Sequence, residues 1–158
     1  MAGGESTYVD PSALLKLYLH QPDSAAMNAW RARTRVPLAL THHGRTEVVN
    51  GICLAAFRGE ISTEASKDAL ASFDEDLAAG RYVLADLLWR AALQRAAELS
   101  RRHTPALGCR TLDVLHVASA LELGKSRFLT FDTRQRALAR AAGLRLVAWA
   151  RPSAGRDK

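Results

Sequence analysis

Four acidic residues occupy comparable places in the sequence, each just after a strand-like segment or near the start of a helical one: Asp10, Glu47, Asp113 and Asp132. In a parallel α/β sheet such side chains all point toward the carboxyl edge. Carboxylates about 4 Å apart repel by about 4 kcal/mol per pair at an effective dielectric constant of about 20. We therefore expect a cation among them. Because the pattern offers carboxylates without His or Cys, a hard ion is favoured, Mg²⁺ or Mn²⁺.

Each acid also has an ordinary structural explanation. Asp10 and Asp132 could be helix N-caps, and Glu47 and Asp113 could complement the dipoles of the helices they begin. Singly, each acid is explained well in this way, whereas the four together favour a metal site.

Two hydroxyl groups lie beside the first and last of these acids in the sequence. Ser12 and Thr130 could orient the carboxylates or an attacking water molecule. Alternatively, they serve only in capping and turns, and the sequence leaves both roles open.

The charge of the whole chain agrees with a polyanionic partner. Lys and Arg number 22 against 16 Asp and Glu, which gives a formal charge of +6 and an isoelectric point near 9.9. Such a charge attracts nucleic acid, although it can also be a general solubility bias. Hard metal ions and a basic protein together favour phosphodiester hydrolysis, in which the metal orients a water, lowers its pKa and stabilises the leaving oxygen.

Alternating strands and helices must position the acids. Strand-like segments occur at 7–9, 37–40, 82–85, 127–130 and 144–149, and helical patterns at 11–19, 24–33, 44–57, 62–79, 86–102, 112–123 and 133–142. This alternation predicts right-handed crossovers and a parallel sheet covered on both faces.

Length and composition predict one globular domain. The 158 residues are 48% hydrophobic, and the N-terminus lacks the basic and apolar regions of a signal peptide, so we expect a soluble, cytoplasmic protein. The domain should span 7–150, with flexible ends at 1–6 and 151–158. Cys53 and Cys109 are expected to be reduced thiols, and the adjacent His42 and His43 do not have zinc-binding spacing.

Four stretches resemble the PIN-domain ribonucleases, in particular the VapC-type toxins of VapBC toxin–antitoxin pairs. They are YVDPSALLKLY, TEVVNGI, CRTLDVLHVASALELG and FLTFDTRQRALARAAGLRLV, in family order from about Tyr8 to Val147. The resemblance implies a PIN-like α/β fold, with a central parallel β-sheet of about five strands flanked by about seven helices. It also implies cleavage of RNA that depends on Mg²⁺ or Mn²⁺.

The resemblance further implies that the metal site consists of the four acids named above. Ser12 takes the family's D-x-S position and Thr130 its T-x-D position, both as supporting residues. Pro11, where relatives often have Thr or another small residue, is a mild departure. Arg110 and Arg134 could contact phosphate or could simply be solvated at the surface.

The family implies two protein partners, a second copy of the chain in a homodimer and a small VapB-like antitoxin whose C-terminal segment blocks the site. Two other functions stay open. The chain could be a catalytically silent PIN module that binds RNA or protein, or a phosphatase with Asp10 as nucleophile. The phosphatase chemistry usually needs a second acid two residues on, where this sequence has Ser12.

Overall fold

The computed structural model describes residues 6–148, and that range contains five strands and seven helices. In chain order they are β1 (Thr7–Val9), α1 (Pro11–Leu15), α2 (Ser24–Arg33), β2 (Leu38–Thr41), α3 (His42–Phe57), α4 (Thr63–Ala78), β3 (Tyr82–Ala85), α5 (Trp89–Leu107), α6 (Thr111–Glu122), β4 (Arg127–Leu129), α7 (Thr133–Ala141) and β5 (Arg145–Leu146). The predicted α/β class is confirmed.

All the described strands pair in parallel, as predicted, but they form two hydrogen-bonded groups. One has the order β1-β4-β5, and the other pairs β2 with β3. Strand β2 packs beside β1 without a ladder between them. The predicted sheet of about five strands is therefore present as three strands and two, with their carboxyl ends at a common edge.

Alternation along the strands creates two hydrophobic cores, because successive side chains point to opposite faces. Val9 and Leu129 pack into one core with side chains of α1 to α4, whereas Tyr8 and Phe128 pack into the other with side chains of α5 to α7. Helices on both faces hold the strand ends in place.

Two helices differ from their predicted bounds by more than two residues. Helix α1 ends at Leu15 rather than at position 19, because the N–H groups of residues 16 to 18 bond to carbonyls three residues back rather than four. Helix α5 begins at Trp89 rather than at 86 and continues past the basic residues at 101–103 to Leu107. It ends where Gly108 takes a left-handed φ of 63°. Basic side chains favour a helix C-terminus, but the positive φ of a glycine is what ends this helix.

The predicted fifth strand, 144–149, is shorter, with Arg145–Leu146 as its extent in the described range. Positions 149 and 150, and the predicted tails apart from Ser6, lie outside the described residues. The carbonyl of Ser6 accepts backbone hydrogen bonds from Ser126 and Arg127. None of the helices in the described range is both long enough and apolar enough to span a membrane.

Candidate active site

A cavity of about 430 Å³ opens at the carboxyl edge of the strands, and all four acids predicted from the sequence line it. Its described lining consists of Asp10, Ser12, Glu47, Arg110, Thr111, Leu112, Asp113, His116 and Asp132. Thr130 and Arg134 are not part of this lining. The fold therefore brings four carboxylates from four separate elements into one small space.

Asp10 is the most buried of these acids, with 5% of its surface exposed. It caps α1: its Oδ2 accepts hydrogen bonds from the backbone N–H of Ser12, at 3.1 Å, and from the Ser12 hydroxyl. Its Oδ1 accepts a third from Nε2 of Gln135, at 2.9 Å. Burial raises the pKa of Asp10, and the nearby His116 and the hydrogen bonds from Ser12 and Gln135 only partly offset that rise.

Asp132 caps α7, because its Oδ1 accepts the backbone N–H of Gln135 at 2.8 Å. The fully buried Thr130 supports this turn, since its hydroxyl oxygen accepts the backbone N–H of Asp132 at 3.2 Å. Asp132 therefore caps a helix and lines the cavity at once, as Asp10 also does. The two roles that the sequence left as alternatives are geometrically compatible.

Glu47 lies in the second turn of α3, and its carboxylate contacts Nε2 of His116 on α6. His116 is 1% exposed, and its Nδ1 lies 2.7 Å from the hydroxyl of Tyr8 on β1. Burial alone would lower the pKa of His116, but the hydrogen bond to Glu47 and the charges of Asp10, Glu47 and Asp113 outweigh burial and raise it. A cationic ring is thereby favoured beside the acids.

Asp113 lies in the first turn of α6 and is paired locally with Arg110. Its Oδ2 accepts hydrogen bonds from the backbone N–H of Arg110, at 3.3 Å, and from Nε of the same residue, at 3.1 Å. The Arg110 side chain is 74% exposed, so its guanidinium group sits at the mouth of the cavity. The exposed Arg134 instead directs Nη1 toward the carbonyl of Gly108, at 3.5 Å.

The expectation that no histidine is offered to the acids was wrong, since His116 lines the cavity and contacts Glu47. His116 follows Asp113 by one helical turn, and this spacing was the available signal. Gln135, three residues after the cap Asp132, was also missed. Its spacing matches the third position of a capping box, but its side chain bonds Asp10 instead.

The carboxylate oxygens that line the cavity suit a hard divalent cation, although each carboxylate is already hydrogen-bonded within the protein. Within residues 6–148, no three His, Cys, Asp or Glu side chains converge closely enough to hold a metal ion together. Oxygen ligands are what Mg²⁺ and Mn²⁺ prefer, and a cation would offset the cost of burying Asp10. Binding would require the carboxylates to exchange protein hydrogen bonds for metal contacts.

Comparison with known proteins agrees with this architecture. The model of the PIN domain family matches residues 7–141. The chain belongs to the PIN-domain family. This PIN-domain chain is also 32% identical, over 143 residues, to Ribonuclease VapC46 of Mycobacterium tuberculosis (strain ATCC 25618 / H37Rv). The aligned region covers 89% of this chain and 95% of that relative. The resemblance to VapC-type ribonucleases that the motifs indicated is confirmed.

We predict that Asp10→Asn raises the melting temperature of this PIN-domain protein in EDTA at pH 7. Because the pKa of Asp10 is raised on folding, its ionised form destabilises the fold at pH values above the ordinary carboxyl pKa, and a neutral amide removes that cost. Asn caps helices about as well as Asp. Gln135 Oε1, which is buried without a hydrogen-bond partner, could accept from the new amide.

Asp23→Asn is the matched control, since Asp23 is an exposed N-cap residue without a side-chain capping bond. Thermal denaturation should show little change for the control. A lower melting temperature for Asp10→Asn than for the wild type would contradict the prediction.

Proposed function

We propose that this chain is a metal-dependent endoribonuclease, the toxin of a type II toxin–antitoxin pair, that hydrolyses RNA phosphodiester bonds with Mg²⁺ or Mn²⁺. The observation that carries the proposal is the convergence of Asp10, Glu47, Asp113 and Asp132 on one cavity. Membership of the PIN family and the similarity to a protein named as a ribonuclease support it.

The four acids would hold the cation, and neighbouring side chains would hold the acids. When bound, a hard divalent cation supplies charge that polarises a phosphate oxygen and acidifies a water molecule. Ser12 and Gln135 keep Asp10 oriented from two sides, and the helix cap does the same for Asp132. These contacts fix the orientation of Asp10 and Asp132 at the cavity wall, and a bound cation would replace some of them.

Arg110 is the side chain best placed to bind the RNA backbone. It is exposed at the cavity mouth, where a guanidinium group can form paired hydrogen bonds with a phosphate. The net charge of +6 supports long-range attraction of RNA to this surface.

The proposed partners are a VapB-like antitoxin and a second copy of the chain. Exposed apolar side chains support protein contacts: Phe57, Val83, Leu84, Leu88, Trp89, Leu93 and Leu112 are between 37% and 88% exposed. Of these, Leu112 also lines the cavity, so a protein covering it would obstruct the site. An antitoxin should therefore suppress cleavage at a stoichiometric ratio.

A catalytically silent PIN module is the second candidate, and one observation favours it. Each of the four carboxylates already accepts a hydrogen bond within the protein. These donors offset part of the negative charge of the cavity without a metal ion. The phosphatase alternative has less support, because the position two residues after Asp10 is Ser12, whose hydroxyl bonds Asp10.

Cleavage of RNA by Asp132→Asn tests the nuclease proposal. Asn retains the cap of α7 but removes a charge from the cavity, so the fold should keep its stability while cleavage in Mg²⁺ falls by orders of magnitude. The measurement is gel analysis of total RNA with wild-type and variant protein, in Mg²⁺ and in excess EDTA.

Asp132→Ala is the companion variant, which should lose activity and also about 1 kcal/mol of unfolding free energy, because it lacks the cap. Wild-type cleavage that persists in EDTA would refute the metal requirement. Absence of cleavage by the wild type in Mg²⁺ or Mn²⁺, with RNA binding retained, would support the silent module.

Arg110→Ala should weaken RNA binding more than Arg134→Ala does. Both arginines lie near acids in sequence, but only Arg110 lines the cavity. Filter binding at several salt concentrations, in the inactive Asp132→Asn background, should show the salt slope reduced by about one for Arg110→Ala. Equal losses for the two variants would argue that Arg110 has no special contact with phosphate.

A further inference from the structure

Three side chains from three elements form a hydrogen-bonded series that ends at the cavity. The hydroxyl of Tyr8 lies 2.7 Å from Nδ1 of His116, and Nε2 of His116 contacts the carboxylate of Glu47. Tyr8 and His116 are 2% and 1% exposed, whereas the Glu47 side chain is 30% exposed. The series therefore runs from the core to the cavity wall.

The direction of the hydrogen bond between His116 and Glu47 follows from Glu47, because an ionised carboxylate only accepts. Nε2 of His116 must then carry a hydrogen and donate a hydrogen bond to the Glu47 carboxylate. In the cationic ring Nδ1 donates to the Tyr8 hydroxyl, and in the neutral ring Nδ1 accepts from it. In either form the Tyr8 hydroxyl anchors Nδ1 and leaves Nε2 directed at Glu47.

Packing fixes the planes of both rings. Phe128 stacks on Tyr8 with 5.4 Å between ring centroids, and His43 stacks on His116 with 4.8 Å between them. Burial, helped by the neighbouring His116, lowers the pKa of His43 to about 4, so this stacking partner is neutral near pH 7. The two stacking contacts restrict rotation of the Tyr8 and His116 rings, so the His116 ring can act as a rigid support for Glu47.

Glu47 needs such a support more than the other three acids do. Asp10 and Asp132 are held by the helices that they cap, and Asp113 is held by Arg110 three residues away. In the described part of the chain, Glu47 accepts its hydrogen bond from His116 on another helix, 69 residues away in sequence. It also has the longest and most flexible side chain of the four.

We propose that His116, oriented by Tyr8, is a positioning residue that holds the Glu47 carboxylate where it contributes to binding the divalent cation. This inference rests on the proposed function and adds to it two residues outside the four acids. Partners that orient metal ligands typically change metal affinity by about 10- to 100-fold when they are replaced.

The test is binding of Mn²⁺ alone, measured by isothermal titration calorimetry without RNA. His116→Phe, which removes both ring nitrogens, should weaken Mn²⁺ binding by about 10- to 100-fold. His116→Gln should recover part of the affinity, because its amide can donate to Glu47. Tyr8→Phe should cause a smaller loss of Mn²⁺ affinity, because His116 keeps the Nε2 donor to Glu47 but loses the hydrogen bond at Nδ1 that orients its ring.

Tyr82→Phe is the matched control. Tyr82 is a strand tyrosine that is 4% exposed, and its hydroxyl bonds the hydroxyl of Tyr18 at 2.8 Å, away from the cavity lining. This variant removes a comparable buried hydroxyl group and should bind Mn²⁺ as the wild type does. Circular dichroism and thermal denaturation show whether each variant is folded.

A double-mutant cycle separates positioning from general structural damage. In a Glu47→Gln background, His116→Phe should have little further effect on Mn²⁺ affinity, because the residue that it positions is no longer a carboxylate. Additive losses, or unchanged affinity in folded His116→Phe, would overturn the inference. If His116→Phe does not fold, equal affinity of Tyr8→Phe and Tyr82→Phe overturns it.

The wild-type titration distinguishes a failure of the proposed metal dependence from a failure of the positioning role of His116. Absence of Mn²⁺ binding by the wild type would refute the proposed metal dependence together with this inference. Mn²⁺ binding by the wild type that the variants fully retain would refute the inference alone.

Discussion

Four acidic side chains converge at one edge of the strands, and their mutual repulsion constrains how the surrounding residues can pack. Strands β1 and β4 are parallel neighbours, and the backbone N–H of Asp10 bonds the carbonyl of Leu129 at 3.0 Å, which ties the two strand ends together. Asp10 follows the end of β1 directly, and Asp132 lies three residues after the end of β4. Helices packed on both faces leave the acids little freedom to move apart.

The protein meets this constraint by giving each carboxylate its own donors. Two acids cap helices, one pairs with an arginine and one contacts a buried histidine. Gln135 links the two capping acids, since its backbone N–H bonds Asp132 and its side chain bonds Asp10. Because a buried charge without partners is costly, these donors let the fold form around a cluster that a cation would complete.

Local rules predicted much of the fold and the place of the acids. Asp10 and Asp132 could be located from sequence because each follows a strand and precedes a helix, and the parallel pairing then brings them to one edge. The role of the acids as metal ligands stays a prediction. The end of α5 was placed too early, because the basic residues before Pro105 resembled a C-terminus, whereas Gly108 ends the helix.

His116 could not be recognised by the same rules, because its partners are distant in sequence. Tyr8 lies 108 residues away and Glu47 lies 69 residues away, so their contacts depend on the packing of α6 against β1 and α3. In sequence, His116 stands within a mostly apolar stretch of α6 that is buried from Val114 to Ala120. Such a stretch indicates core packing, and the spacing of one helical turn from Asp113 was the local sign that this ring could reach the acids.

Anomalous diffraction from crystals soaked in Mn²⁺ would locate the cation without reference to activity. We expect an anomalous peak inside the cavity, about 2.1 Å from carboxylate oxygens of at least two of the four acids, with Asp10 among them. Peaks confined to the protein surface outside the cavity, at a Mn²⁺ concentration that saturates binding in solution, would contradict it.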